Sequence, residues 1–259
     1  MESILKTKIL FFIIFSLGLL LSYGQKPSNV RMRLGEKITY DFKYSFFKVA
    51  EAELLVDPEF FYPNGEEPYY LVTLKINSVG LLQFFYSNLH VCYESYISAR
   101  ESDPFYTERE IYHGDKIDIQ HDYFRFEDSV FVENHNFRKN EIVTRSFPKL
   151  KGEVKDPLSS YTWFRSSDME NMENPKSVFL FVTNRLNQFA VDPTKEIVDY
   201  DGQKALKYDL VFPNMKGFRK GSESYVLISM DGKNIPIKFK LATKRGNFYM
   251  NLQKIKNFD

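Results

Sequence analysis

The four histidines are the first side chains in this sequence that could bind a metal ion, and they lie far apart, at His90, His113, His121 and His135. None of them forms a helical i,i+4 pair, and no cysteine pair accompanies them, so the usual zinc spacings are absent. His113 and His121 could meet across a hairpin that turns at Gly114, with Asp118 or Asp122 beside them. We interpret these histidines as solvated turn residues and expect neither a metal nor a cofactor.

Patterns for nucleophilic or acid–base catalysis are also sparse. No serine lies in a G-x-S-x-G turn, and Asp156, directly before Pro157, is better explained as a helix cap than as the partner of Ser159. Glu108 and Glu110 lie two apart on a predicted strand and so share a face, as glycoside hydrolysis would require of two carboxylates. Such pairs are ordinary on a solvated strand. We therefore assign no catalytic residue and favour a protein that is not an enzyme.

The first 24 residues have the pattern of a secretory signal peptide. Lys6 and Lys8 precede an apolar run from Ile9 to Leu21, and cleavage is expected after Gly24. The run is shorter than the roughly 20 residues of a membrane-spanning helix, and no later segment is long enough. We expect an exported protein of the periplasm or cell envelope, with one β-rich domain over residues 25–259 and no transmembrane segment after cleavage.

Composition argues against a nucleic-acid partner. The chain has 35 basic and 34 acidic side chains, and the predicted signal peptide removes two lysines and one acidic residue. The rest is close to neutral, whereas phosphate binding requires a concentrated basic surface. The single cysteine, Cys92, excludes an internal disulfide and is interpreted as a small core residue.

Period-two alternation predicts strands along most of the chain. Apolar and polar residues alternate over 37–46, a turn is expected near Phe47-Lys48, and a second strand continues through Ala50 and Leu54. One segment differs, because Asp156 and Pro157 predict a helix that runs to about Asp168. The fold class is therefore all-β, mainly strands with one or two short helices.

The last three predicted strands form a meander. A two-residue turn at Asp231-Gly232 would place Ile228 opposite Ile235, and a second at Arg245-Gly246 would place Leu241 opposite Met250. This register collects nine apolar side chains on one face: Val226, Ile228, Ile235, Ile237, Phe239, Leu241, Phe248, Met250 and Leu252. We interpret Asp231-Gly232 as a turn and not as a calcium loop, because Lys233 occupies a position that calcium binding would need.

Four short motifs, GEKITY, YESYIS, DPLSSY and SMDGKNIPIKF, occur in this order. With them the chain resembles a bacterial envelope family, domain-of-unknown-function 3108, from about Gly35 to Leu252. The residues that carry the resemblance are Gly35-Glu36 with Tyr40, Ser95-Tyr96-Ile97, Asp156 with Leu158-Ser159, and Ser229 with Asp231 and Ile235-Pro236. The resemblance implies an exported, mainly antiparallel protein built as a strongly curved sheet or an open β-barrel. It implies no reaction.

Two aromatic segments interrupt the strand pattern, and we take them as the candidate ligand-binding residues: Phe84, Phe85, Tyr86, Tyr161, Trp163 and Phe164. They either plug the end of the core or line a groove for a lipid acyl chain or a sugar ring. We predict a non-catalytic binding module for an apolar or amphipathic, lipid-like envelope ligand. One alternative is an assembly factor that binds another envelope protein through a sheet edge or aromatic patch; another is a glycan-active enzyme.

Overall fold

The computed structural model describes residues 32–256 apart from 64, 66, 81–82, 84–88, 115, 125–128, 137–139, 149–153, 183, 214–217 and 220–222. Its elements are β1 (Lys37–Tyr44), β2 (Phe47–Phe61), β3 (Tyr69–Ser78), β4 (Leu89–Ser98), β5 (Pro104–His113), β6 (Lys116–Tyr123), β7 (Ser129–Asn136), β8 (Glu141–Pro148), β9 (Val154–Lys155), α1 (Pro157–Ser166), β10 (Lys176–Val182), β11 (Arg185–Tyr200), β12 (Gln203–Val211), β13 (Tyr225–Ser229), β14 (Pro236–Thr243) and β15 (Gly246–Lys256). The predicted signal peptide lies outside the described residues.

All the strands that the structure describes belong to one 15-stranded sheet, and the first strand of the chain lies in the middle of the strand order. Strand β1 pairs with β2 on one side and with β15 on the other, so the first and last strands are neighbours. From this pair, one meander runs outward to β8 and the other runs back to β9. Neighbouring strands are antiparallel except for β9 and β10. The predicted all-β, antiparallel class is confirmed.

The sheet curls until its two outer arms touch, but it does not close into a hydrogen-bonded barrel. Phe124, which follows β6, packs on Phe181 of β10 with ring centroids 6.1 Å apart, and Phe147 of β8 lies 5.2 Å from the same ring. Strands β8 and β9 stand at opposite ends of the strand order and do not pair. This is the strongly curved, open arrangement that the sequence resemblance implied. No helix among the described residues is long and apolar enough to cross a membrane.

The first hairpin follows the predicted alternation. Ile38, Tyr40 and Phe42 are buried on the inner face, and Ala50 and Leu54 of β2 continue that face. The turn lies slightly earlier than predicted, at residues 45–46, where the backbone of residue 45 adopts a positive φ of 55°.

The predicted register between β13 and β14 is wrong. Ile228 pairs with Pro236 instead of Ile235, and the register shifts at a bulge between Leu227 and Ile228. The cause lies in the turn, where the Asp231 carboxylate accepts hydrogen bonds from the Ser229 hydroxyl (2.7 Å) and from a backbone N–H (3.1 Å). These bonds stabilise a connection longer than two residues, because a short acidic side chain can replace backbone partners in a turn.

The register between β14 and β15 also differs from the prediction. Leu241 pairs with Phe248, and Thr243 pairs with Gly246, so the two turn residues are Lys244 and Arg245. A shift of two positions on the partner strand leaves side chains on their predicted faces. Most of the nine predicted residues therefore do belong to the main core. Leu252 is only partly buried and packs against this core, and Ile237 lies in a separate cluster with Ala205 and Leu227 on account of the bulge.

Candidate functional site

Helix α1 carries three of the six predicted ligand-binding residues, and all three are buried. Tyr161, Trp163 and Phe164 are each at most 3% exposed and belong to the main hydrophobic core. Every residue of the helix is buried, which is unusual for a ten-residue helix beside a sheet. This position fits the interpretation in which the aromatic segment plugs the core. The other three residues, Phe84, Phe85 and Tyr86, lie outside the described residues, and ligand binding by the set stays a prediction.

The start of α1 is fixed by a capping box. Asp156 accepts a hydrogen bond from the backbone N–H of Ser159 (2.6 Å), and the Ser159 hydroxyl accepts one from the Asp156 N–H (2.9 Å). The hydroxyl of Ser95, on β4, donates to the same carboxylate. Burial raises the pKa of Asp156, and its hydrogen bonds with Ser95 and Ser159 oppose that rise. The predicted cap is therefore confirmed, and the Asp156 carboxylate accepts hydrogen bonds that fix the start of α1.

The end of α1 is anchored by a buried ion pair. The Arg165 guanidinium donates to both carboxylate oxygens of Glu36, at 2.8 and 3.3 Å, and the two side chains are almost fully buried. Its Nε also donates to the backbone carbonyl of Lys233 at 2.8 Å. The planar guanidinium thus ties the residue before β1 to the β13–β14 connection, a geometry that an ammonium group would not reproduce.

Further polar contacts hold α1 against the same end of the sheet. The hydroxyls of Tyr40 and Tyr161 lie 3.2 Å apart, and Tyr40 donates to the carbonyl of Pro236 at 3.0 Å. Asn234 donates to the carbonyl of Ser167, just after the helix, at 2.8 Å. We call this end, formed by the β4–β5 and β13–β14 connections, the helix end. The opposite end, with the β1–β2 and β14–β15 turns, is the hairpin end.

A second buried polar cluster lines the inner face of β5 and β6. The Asp122 carboxylate accepts hydrogen bonds from the side chains of Gln120 (2.6 Å) and Thr107 (3.3 Å), and Arg109 donates to the side-chain amide oxygen Oε1 of Gln120. Burial raises the pKa of Asp122 to about 6, although the Arg109 charge and the two hydrogen bonds oppose the rise. In the sequence, Asp122 stands out only as a neighbour of His121. Its inward orientation follows from the alternation on β6, which could have revealed it.

The hairpin end exposes an aromatic pair that the sequence analysis missed. Phe46 is 78% exposed and Phe47 is 47% exposed, and their ring centroids lie 4.1 Å apart. The β14–β15 turn lies beside them, because the Ser45 N–H donates to the carbonyl of Asn247 at 2.7 Å. The alternation over residues 37–46 predicts Phe46 on the buried face of the first strand, but β1 ends at Tyr44 and Phe46 lies in the turn that follows. Two adjacent aromatic residues at a turn, where alternation must stop, were the available signal.

His113 and His121, which could have met across a hairpin, do not lie together. His113 lies opposite Lys116 at the β5–β6 turn, whereas His121 lies opposite Glu108 near the other end of these strands. On the neighbouring strand β7, Glu133 and His135 lie next to His121. The spacing E-x-H on a predicted strand was the signal for this group, but it becomes informative only when the strand pairing is known.

No protein-family model matches the sequence, and no curated protein matches it. Among solved structures, the chain is similar to the crystal structure of a β-barrel-like protein of Domain of Unknown Function DUF1849 from Brucella abortus. The two share 10% sequence identity with a TM-score of 0.51, over 88% of this chain and 100% of that chain. At this identity the similarity shows the fold alone, and that fold agrees with the open, barrel-like sheet. The resemblance to domain-of-unknown-function 3108 stays a prediction.

Proposed function

We propose that this chain is a non-catalytic binding module of the bacterial cell envelope, which takes an apolar or amphipathic, lipid-like ligand at its hairpin end. The observation that carries the proposal is the exposed pair Phe46 and Phe47. Large aromatic side chains bury apolar surface when they meet a lipid, and exposed apolar groups at one place favour an interaction site.

The two ends of the sheet differ in what they offer a ligand. At the helix end, α1 is packed into the core and held by Glu36, Ser95 and Asn234. At the hairpin end, the aromatic pair Phe46 and Phe47 faces solvent. We therefore place the ligand at the hairpin end.

The charges at the hairpin end suit an amphipathic ligand with an anionic head group. Lys244 and Arg245 are exposed in the β14–β15 turn. That turn is attached to β1, since the Tyr44 hydroxyl donates to the Arg245 carbonyl at 2.5 Å. Aromatic residues next to basic ones are typical of surfaces that meet the boundary between acyl chains and head groups.

The predicted aromatic residues of the β3–β4 connection belong to the same proposal. This connection leaves β3 at the hairpin end, where the Val79 N–H donates to the carbonyl of Val49 at 2.9 Å. Phe84, Phe85 and Tyr86 lie in that stretch of sequence, outside the described residues. We propose them as ligand-binding partners of the exposed pair.

Lipid binding can be tested with a double variant and a matched control. Burial of a phenylalanine contributes at least about 1.5 kcal/mol, so Phe46→Ser with Phe47→Ser should weaken binding to anionic phospholipid vesicles by about 100-fold. The control is Phe61→Ser with Tyr62→Ser, which changes residues that are 45% and 53% exposed at the helix end. Vesicle co-sedimentation measures both. Native mass spectrometry of protein purified from its own periplasm should show retained lipid.

Two results would contradict this function. If wild-type protein carries no lipid and does not sediment with vesicles, a lipid-like ligand is excluded. An equal loss of vesicle binding in the control variant would show that the hairpin end has no specific role in binding.

A second function, as an assembly factor, is favoured by the outer edge of the sheet. Strand β8 is the last strand in the order, and Ile142 on it is 60% exposed. An edge strand can accept a strand from another protein by backbone pairing. Co-purification of an envelope protein that is lost with Ile142→Lys would support this function, whereas a monomer that captures nothing would argue against it.

A further inference from the structure

A row of histidine and carboxylate side chains crosses three strands on the outer face of the sheet. Glu133 and His135 lie two apart on β7 and so point to the same face. His121 on β6 lies opposite Glu133, and Glu108 on β5 lies opposite His121. Directly opposed residues on adjacent strands have Cβ atoms about 5 Å apart, so the pairing itself brings these groups together.

The distances place three of these side chains around a common point. Ligand atoms of His121, Glu133 and His135 all lie within 4.8 Å of one another. The His135 Nε2 lies 2.7 Å from a Glu133 carboxylate oxygen, and the two imidazole rings have centroids 5.1 Å apart. The side chains keep between 17% and 29% of their surface exposed, so an ion can reach them from solvent.

Tyr106 on β5 orients the imidazole of His121. Its hydroxyl donates to a Glu108 carboxylate oxygen at 2.9 Å, and its oxygen lies 2.5 Å from His121 Nδ1. A phenol has a single hydrogen, so once it donates to Glu108 its oxygen accepts from the Nδ1–H of His121. That tautomer leaves the lone pair on Nε2. Histidines that bind metals commonly donate their other N–H to such a partner.

We propose that His121, Glu133 and His135 form a binding site for a divalent transition-metal ion such as Zn²⁺. Two imidazole nitrogens and one carboxylate are ligands that suit Zn²⁺, Cu²⁺ or Ni²⁺, whereas Ca²⁺ and Mg²⁺ prefer oxygen ligands throughout. The second carboxylate, Glu108, lies opposite Glu94 of β4 and adds negative charge beside the site. This proposal differs from the expectation of no metal that the sequence pattern gave.

Three protein ligands leave one position of a tetrahedral ion for water or for a group from another molecule. The site lies on the outer face and is independent of the aromatic pair at the hairpin end. It links β6 to β7, near the outer end of the arm of the sheet that runs to β8. Bound metal should therefore stabilise this arm against unfolding, because ligands that bind only the folded state raise its stability.

The proposal is tested with tag-free mature protein and Zn²⁺ alone. Competition with a chromogenic chelator should give one equivalent of bound Zn²⁺. Each of His121→Asn, Glu133→Gln and His135→Gln should weaken its affinity by about 100-fold, and Tyr106→Phe by about 10-fold. The matched control is His90→Gln, which removes a histidine of β4 that contacts Asn77 and lies outside the cluster. It should bind as the wild type does.

A measurement on the wild type alone tests the proposal even if the variants fail to fold. X-ray absorption at the zinc edge should report two imidazole ligands with oxygen ligands completing the shell. The proposal is overturned if wild-type protein binds no Zn²⁺, if the spectrum lacks imidazole, or if His90→Gln weakens binding as much as His121→Asn does.

Discussion

Asp122 should make the stability of this protein depend on pH in a defined direction. Its folded pKa is about 6 against an ordinary value of 3.8, because the carboxylate is buried. The folded state therefore holds this proton over a pH range in which the unfolded chain has lost it. Stability from this group is fully present below pH 3.8 and is lost as the pH rises through about 6. A shift of about two pKa units, at about 1.4 kcal/mol each, amounts to about 3 kcal/mol.

The substitution Asp122→Asn isolates this effect. Asparagine has nearly the same shape and cannot ionise, so the variant lacks this source of pH dependence. Urea unfolding of both proteins between about pH 4 and pH 7 gives the difference in unfolding free energy at each pH. Wild type should lose somewhat more than about 2 kcal/mol relative to the variant across this range, because the rest of the effect lies below pH 4. Asp118→Asn, which changes an exposed carboxylate of the same strand, serves as the matched control.

Two outcomes would refute the reasoning. A difference between wild type and Asp122→Asn that stays constant with pH would mean that the carboxyl group titrates alike in the folded and unfolded chains. A difference of the opposite sign would mean that Arg109 stabilises the carboxylate by more than burial penalises it.

Substitutions at three further positions test the anchoring of α1 and of the hairpin end. Glu36→Ala leaves the buried Arg165 charge without its partner and should lower the unfolding free energy by about 3–5 kcal/mol in urea titrations. Asp156→Ala removes the helix cap and should cost about 0.5–2 kcal/mol, whereas Asp156→Asn should retain most of that stability. Gly246→Ala should lower the melting temperature, because φ is +146° and the new Cβ would lie 2.9 Å from the Tyr44 hydroxyl oxygen.

Local signals in the sequence were sufficient for the elements of the fold. The cap at Asp156 and the proline that follows it define where α1 begins, and the structure has the helix there. Alternation around Ile38 and Leu54 identified the inner face of the first hairpin. These features depend on neighbouring residues alone, because backbone geometry determines them within one turn or one strand.

Features that depend on long-range pairing could not be predicted in the same way. The β13–β14 register depends on whether Asp231 bonds to its own turn, and a two-residue turn looked equally suitable from the residue types. The cluster of His121, Glu133 and His135 requires the exact pairing of two strands, and a shift of one residue would separate its members onto opposite faces. Alternation also does not show where a strand ends, so it predicts Phe46 on the buried face although this residue lies in the turn after β1.

The residues that suggested a family resemblance now have a structural explanation. Glu36, Tyr40, Ser95 and Asp156 all contact α1 or its anchoring groups, and Pro236 accepts from Tyr40. Short motifs that lie far apart in the sequence thus meet at the helix end, where they close the core. They describe how the sheet is stabilised and give no information about a ligand.

Stability and binding should therefore separate along the length of the sheet. Phe46 and Phe47 are exposed and contribute little burial, so replacing both with serine should change the unfolding free energy by less than about 1 kcal/mol while vesicle binding falls. Glu36→Ala should lower the unfolding free energy but leave vesicle binding unchanged. Binding of this variant is measured without urea at a moderate temperature, where the protein is still folded and the hairpin end is intact. Parallel loss of stability and binding in both variants would show that the two ends are coupled, and the hairpin end could not then act as an independent binding surface.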